Sequence, residues 1–512
     1  MQGHKPSLLR FLFSIILLPF CFLLTTSLTI NTAHARLSQE INQLTQPFAE
    51  WLSAFVFYKV TLFEVPIPLV VIWLVVGALF FTFYLSWVNL RAFKHAIELI
   101  RGDYDHPHSH GEVSHFQALA TAVSGTVGIG NIGGVAVAVS LGGPGATFWL
   151  IMAGILGMST KFVECTLSVK YRDTFDDGHV SGGPMYYLNY GLKALGYQRL
   201  GKILGAVYAI GILLGALGIG NLFQSNQAYE QLVSVWGKDL SPELIGIILA
   251  LTVLSVILGG IKSIAKVTEK VVPFMAVLYC VSALIIIALN LAYLPAAIQA
   301  IFVGAFTGEG VAGGALGVMV IGFQRAVFSN EAGLGSASIA HSAVKTDEPV
   351  TEGVVALLEP FIDTIVICTI TALVITTSTL ADPQFAGDAQ GVAMTSAAFA
   401  RHISWFPYPL AFAAVLFAVS TMISWSYYGL KGWTYLFGEA PQGQKLYKLI
   451  FCFFIFLGPL MKLGPILDIS DALVFLICIP NIFGLYLLAP TVKKEMLSYF
   501  ERIKTGEIKK YK

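Results

Sequence analysis

Gly125-Thr126-Val127-Gly128-Ile129-Gly130-Asn131-Ile132-Gly133-Gly134 lies where its apolar surroundings predict a membrane helix, yet its composition opposes a continuous one. Glycine admits backbone conformations that other residues resist and weakens a helix interior. Phe328-Ser329-Asn330-Glu331-Ala332-Gly333-Leu334-Gly335 has the same character about 200 residues later, again in a largely apolar region. Two interrupted helices in a polytopic chain point to a central site for an ion and a solute, and so to a transporter.

The composition supports a membrane setting. Of 512 residues, 56% are hydrophobic and 12% charged, too few charges to cover so much apolar side chain in water. The net charge of +1 and the absence of a basic patch interleaved with aromatics give no nucleic-acid footprint. No Walker A sequence is present, so nucleotide is not expected as a partner and an ion gradient is the expected energy source. Six cysteines are scattered through apolar stretches without a CxxC, reading as buried small hydrophobes. No cofactor is expected, and the sequence carries no signal for oligomeric state.

Residues 1–35 have the pattern of a secretory signal, with Lys5 and Arg10 before an apolar run and Ala33-His34-Ala35 as cleavage site. An uncleaved extra helix is the competing reading. Residues 36–62 predict an extracytoplasmic surface segment, and 63–95 an additional transmembrane helix around Ile67–Leu90. Ten further spans fall at about 116–140, 146–168, 203–222, 243–261, 271–292, 316–340, 352–378, 407–430, 447–463 and 471–490, most near bilayer length. Residues 298–315 read as a re-entrant or surface element.

The expectation is an all-α polytopic membrane protein of about 11 transmembrane helices. Residues 116–292 and 313–490 each form a set of five spans opened by a glycine-broken helix, followed by a tail at 491–512. Five is odd, so the second set enters the bilayer inverted. Lys and Arg cluster after alternate spans, as at Arg91, Lys94 and Arg101, at Lys262, Lys266 and Lys270, and at Lys493 and Lys494. This bias puts the mature N-terminus outside and the C-terminus in the cytoplasm of an inner (plasma) membrane protein.

Unwinding near Thr126, Gly128, Gly130 and Asn131 would free N–H groups that suit a carboxylate and C=O groups that suit Na⁺. A small-residue packing face is the competing reading. Gln224 and Asn226 could hydrogen-bond a solute at the end of a span. Thr421 and Trp425 are four apart and share a helix face, joining a hydroxyl to a flat wall that would favour a short side chain. Glu331 is expected to pair with Arg325, with a part in holding a cation as the competing reading, and Glu164 is expected to pair with Lys161. His106, His108 and His110, with His115 beyond, read as a solvated linker, with metal binding as the competing reading, and His341 has no obvious partner. A channel would need a continuous polar path, and an enzyme a convergent nucleophile and base; neither is legible.

Gly142-Gly143-Pro144-Gly145-Ala146-Thr147-Phe148-Trp149 and Ser181-Gly182-Gly183-Pro184-Met185-Tyr186-Tyr187 join the two broken segments in resembling the alanine or glycine:cation symporters, also called sodium:alanine symporters. The resemblance covers roughly residues 50 to 495; the N-terminal extension and the His-rich segment depart from it. It implies a fold like that of the amino acid–polyamine–organocation transporters, one additional helix before two inverted five-helix repeats. It implies sodium-coupled uptake of alanine or glycine, with D-alanine or serine beside them. Proton coupling or a glutamine preference is the alternative within the same fold. Carried over by position, the backbone from Thr126 to Asn131 would face substrate carboxylate and cation. Gln224, Thr421 and Trp425 would line the cavity, and backbone near Val127 and Ser420 would surround Na⁺.

Overall fold

A computed structural model describes residues 46–511, apart from 63–64, 107–108, 177, 238–239, 309–310, 312, 386–390, 402 and 462–463. The expected signal segment lies outside the described residues, as does His108. The described residues are mostly helical. A hairpin of β1 (Lys59–Leu62) and β2 (Val65–Pro68) leads into α1 (Leu69–Tyr84), and α2 (Phe93–Ile100) follows on one face of the bundle. The first interrupted helix is α3 (His115–Thr126) and α4 (Val135–Gly142), and then comes α5 (Ala146–Lys170).

The chain continues through α6 (Gln198–Leu217), α7 (Phe223–Trp236), α8 (Pro242–Ile257), α9 (Gly260–Leu289) and α10 (Leu294–Thr307). The second interrupted helix is α11 (Gly314–Asn330) and α12 (Ser336–His341). After it run α13 (Pro349–Val355), α14 (Thr369–Ala381), α15 (Val392–Ala400), α16 (Pro407–Phe437), α17 (Pro441–Leu457) and α18 (Gly464–Lys504). Among the described residues, seven helices are long and apolar enough to cross a membrane, and an eighth if α3 and α4 count as one bent span. The protein is a multi-pass membrane protein. The expected spans at 116–140 and 316–340 each fall on two helices with a break between them, and α1 and α8, within two others, are only 16 residues long.

Of the expected re-entrant or surface element at 298–315, residues 298–307 belong to the helix α10, whose Gly304 backbone lies so close to Gly145 that a Cβ on Gly145 would collide with it. The segment expected as a tail from 491 starts as helix, because α18 continues through Pro490 to Lys504.

Local chemistry fixes the helix starts. Ser114 and Gln117 form a reciprocal capping box at α3, with Gln117 N donating to Ser114 Oγ at 3.2 Å and Ser114 N to Gln117 Oε1 at 3.1 Å. Ser241 caps α8, with Pro242 and Glu243 in its first turn. The side chains are sorted for lipid. Leu251, Phe274, Val277, Phe302 and Phe306 are more than half exposed on α8, α9 and α10. Lys161, Glu164, Glu352, Glu359 and Asp363 are wholly buried inside the bundle. An apolar rim around an ionisable interior is the arrangement that hydrocarbon demands.

Candidate functional site

The first break begins where Val127 leaves helical geometry, at φ −75° and ψ 98°. The chain resumes through a π-helical turn at Gly130–Gly134, and the two halves meet at a 54° bend. Asn131 stabilises the break from inside: its Oδ1 accepts from Gly128 N at 2.8 Å. Its Nδ2 donates to Asp363 Oδ1 at 2.6 Å and to Ser329 Oγ at 3.0 Å.

The second break closes α11 with Glu331 in the left-handed region, at φ 56°. Three other helices satisfy the backbone groups it releases. Glu164 Oε1 on α5 accepts from Gly333 N at 3.0 Å. Asn481 Nδ2 on α18 donates to Gly333 O at 2.9 Å, and Tyr208 on α6 donates its hydroxyl to Leu334 O at 2.8 Å. Such backbone is tolerated at membrane depth only when buried in protein or lining a cavity.

One face of α16 is laced to α3. Thr421 Oγ1 donates to Ser124 O at 3.1 Å, Ser424 Oγ to Thr121 O at 2.8 Å and Trp425 Nε1 to Gly125 O at 3.3 Å. Residues four apart lie on one helix face, so Thr421 and Trp425 meet the break together. Between these elements lies a cavity. Gly125, Thr126, Gly128 and Gly130 line it from the first break, and Phe328, Glu331 and Leu334 from the second. Ile219, Phe223, Gln224, Thr421, Trp425 and Val474 complete the wall.

A Cβ on Gly128 would lie 2.9 Å from Thr421 Oγ1 and 3.8 Å from Gln224 Oε1, so the missing side chain brings these polar atoms to the backbone. Gln224 Oε1 has no hydrogen-bond partner among the described residues. Gly220 allows the chain to pass Trp425, where a Cβ would sit 2.5 Å from the Trp425 Cβ.

Of the residues singled out in the sequence, Thr126, Gly128, Gly130, Gln224, Thr421 and Trp425 come together at this cavity. Asn131 lies behind it, engaged as described. Asn226 is not brought in; its Nδ2 donates to Gly458 O and Met461 O, both at 3.1 Å. Two residues apart on a helix is roughly 200° of rotation, so Gln224 and Asn226 cannot share a face. Val127 is fully buried, and the Ser420 carbonyl accepts from Ser124 Oγ at 2.7 Å.

The ion-pair expectations are corrected. Glu331 accepts from Ser336 Oγ rather than meeting Arg325, whose acidic neighbour is Asp471. Six residues along a helix is about 240° of rotation, which points Arg325 and Glu331 apart. Lys161 Nζ bonds Glu359 Oε1 at 2.9 Å, not Glu164, which is engaged with the second break. His341 has a partner: its Nδ1 lies 2.5 Å from Glu352 Oε2. His115 is no linker residue; it is buried and bonded to Glu352. Among the described residues, no three His, Cys, Asp or Glu side chains converge as a metal set.

The sequence reading missed Asp363. This buried carboxylate touches both breaks, through Asn131 and through Ser329 Oγ, which donates to Oδ2 at 2.9 Å; Thr364 Oγ1 also donates to Oδ2, at 2.7 Å. The available signal was an acidic residue within the apolar run Phe361-Ile362-Asp363-Thr364-Ile365.

Known proteins are similar to this chain. The profile of the sodium:alanine symporter family matches residues 49–512. The sodium/alanine symporter AgcS of Methanococcus maripaludis is 41% identical over 443 residues, covering 86% of this chain and 96% of that protein. A Bacillus subtilis protein named "Probable sodium/glutamine symporter GlnT" is 33% identical, with 86% and 89% covered. The crystal structure of MhsT in complex with L-phenylalanine has the same fold at a TM-score of 0.53 and 16% identity, covering 76% of this chain and 99% of that one.

Proposed function

The chain belongs to the sodium:alanine symporter family, and on that premise we propose that it carries a small neutral amino acid, alanine or glycine, into the cell together with Na⁺. The observation that carries this reading is a cavity walled by both breaks, with Thr421 and Trp425 closing one side. D-alanine and serine fit the same polar wall. The substrate carboxylate faces the backbone from Thr126 to Gly130, and the ammonium meets the Gln224 carbonyl oxygen, which has no partner among the described residues. Trp425 and Phe328 limit side-chain length.

For the cation, the oxygens of Asp363 and Ser329 beside Asn131 form the strongest donor set, because hard cations take oxygen ligands. The carbonyls near Val127 and Ser420 offer a second environment, where Ser420 exchanges its Ser124 hydroxyl partner for the ion. Na⁺ binding then organises the breaks for substrate, and the two five-helix sets at 116–292 and 313–490 rock to expose the cavity to alternate sides. The N-terminus is outside and the C-terminus cytoplasmic, following the Lys and Arg bias.

Uptake of labelled alanine into proteoliposomes, with and without an imposed Na⁺ gradient, tests the reading. Accumulation is expected only with the gradient; uptake indifferent to it refutes sodium symport. Competition by unlabelled glutamine decides the alternative preference, which the 33% identity to GlnT makes specific.

A further inference from the structure

A series of ionisable side chains runs from one face of the bundle to the second break, and the cycle above leaves it unused. At its outer end the half-exposed Asp105 holds Oδ1 3.6 Å from His115 Nε2. His115 is buried at the start of α3 and bonds Glu352 Oε1 through Nδ1. The other oxygen of Glu352 meets His341 Nδ1, and His341 Nε2 lies 3.9 Å from Glu359 Oε2. Glu359 Oε1 in turn accepts from Lys161 Nζ at 2.9 Å. The side chains of Glu352, His341, Glu359 and Lys161 are all 0% exposed.

One gap breaks the series. His341 Nε2 and Glu359 Oε2 face each other, and neither has a hydrogen-bond partner among the described residues. Their separation of 3.9 Å is too long for a hydrogen bond. With Nδ1–H given to Glu352, a neutral His341 turns a lone pair toward a carboxylate oxygen. A single proton on Nε2 converts that repulsion into a charge-assisted contact. A purely structural ion pair gains nothing by leaving both atoms unsatisfied.

We propose that His341 and Glu359 form a proton-binding site, in contact with the aqueous face at Asp105 through His115 and Glu352, whose occupancy biases the central cavity through Lys161. The step breaks one O–H bond of a hydronium ion, which leaves as water, and forms one N–H bond on His341: the ring turns to carry its existing N–H to Glu359 Oε2, and the nitrogen then facing Glu352 takes the proton passed through His115 and Glu352. Glu352 ends the step ionised between two imidazoles. Protonated His341 shares Glu359 with Lys161, and the ammonium then weighs more heavily on its other acidic neighbours, Glu164 and Glu331. Glu164 holds Gly333 N and Glu331 lines the cavity, so the added charge acts on the second break at both residues. The other titratable groups facing the series are His95 on α2, Cys165 on α5, Arg172 beyond its end, Asp363 and Tyr428.

The inference rests on the symport reading for its link to transport, so two measurements separate them. In proteoliposomes, sodium-driven alanine uptake is followed while the pH on the Asp105 side is varied between about 6 and about 8, with a rate change of about threefold or more expected. His341→Gln and Glu359→Gln are each expected to flatten that response while still transporting at a fixed pH. Infrared difference spectra of the purified protein over the same pH interval read protonation without transport, and H341Q is expected to lose the part of the imidazolium intensity that His341 contributes while the other histidines keep theirs. An unchanged pH response and unchanged spectra in the variants leave a structural ion network only and overturn the proposal. If wild-type protein shows no sodium-driven uptake, the symport reading fails and the spectra alone decide the proton site. Where H341Q does not fold, His115→Gln replaces it; a shifted spectroscopic midpoint supports the site and an unmoved one overturns it.

Discussion

Trp425 is held at both edges: its Nε1 donates to Gly125 O at 3.3 Å, and its ring meets Tyr428 edge-on at 5.5 Å between centroids. A wall fixed in this way sets the length of side chain the cavity admits. Trp425→Ala is expected to raise the ratio of leucine to alanine uptake about tenfold, since a few methylenes in an apolar pocket carry that much discrimination. Competition uptake assays measure it, and an unchanged ratio removes Trp425 as the size filter. Gly128→Ala places a methyl 2.9 Å from Thr421 Oγ1, in the space given to the substrate carboxylate. Alanine uptake is expected to fall about tenfold or more, as a small misplacement of reacting groups does in enzymes. Asp363→Asn keeps the shape but removes the buried negative charge; Na⁺ titration of uptake should show a weakened or abolished sodium dependence. Sodium activation like that of wild type excludes Asp363 as a ligand.

The second break gathers its support from far along the chain. Gly333 has φ +94°, and a Cβ there would press on Leu74 of α1. Gly333→Ala therefore combines backbone strain of about 1–3 kcal/mol with a clash, and thermal unfolding in detergent should record a lower midpoint. A midpoint equal to wild type contradicts this account of the break. Both breaks were legible in the sequence because glycine content is a local property of the chain. So was the pairing of Thr421 with Trp425, which needs only helical spacing. The partners of the break were not legible: Glu164 and Asn481 meet over a separation of 317 residues, and Tyr208 reaches Leu334 across 126. Asp363 went unread for the same reason, since one acidic residue in an apolar run does not announce the two breaks it joins. The expected pairing of Lys161 with Glu164 failed because helical spacing permits a neighbour but does not rank it against Glu359.

At the scale of the molecule, the C-terminal end of α18 is bound back onto the face that carries α2. Arg502 forks onto both oxygens of Glu348, Lys510 reaches Asp103 at 2.7 Å, and Tyr499 OH meets His95 Nε2 at 2.8 Å. Burial holds the His95 imidazole below its usual range, against the opposing pull of Glu98. A depressed imidazole favours the neutral form in the folded state, so its contribution is complete above the unfolded value of 6.5 and is lost as pH falls below it toward the folded value. The unfolding midpoint should decline over that interval in wild type and decline less in His95→Gln; identical slopes rule His95 out. The backbone of the second break also sets a condition on how the protein is made. Gly333 and Leu334 enter the bilayer long before Asn481 is synthesised, 148 residues later. Until α18 arrives, the nascent chain holds an unpaired carbonyl in hydrocarbon, which invites capture by membrane quality control. Chains truncated just before α18 should be degraded during biogenesis, although every residue that lines the cavity except Val474 is already in place.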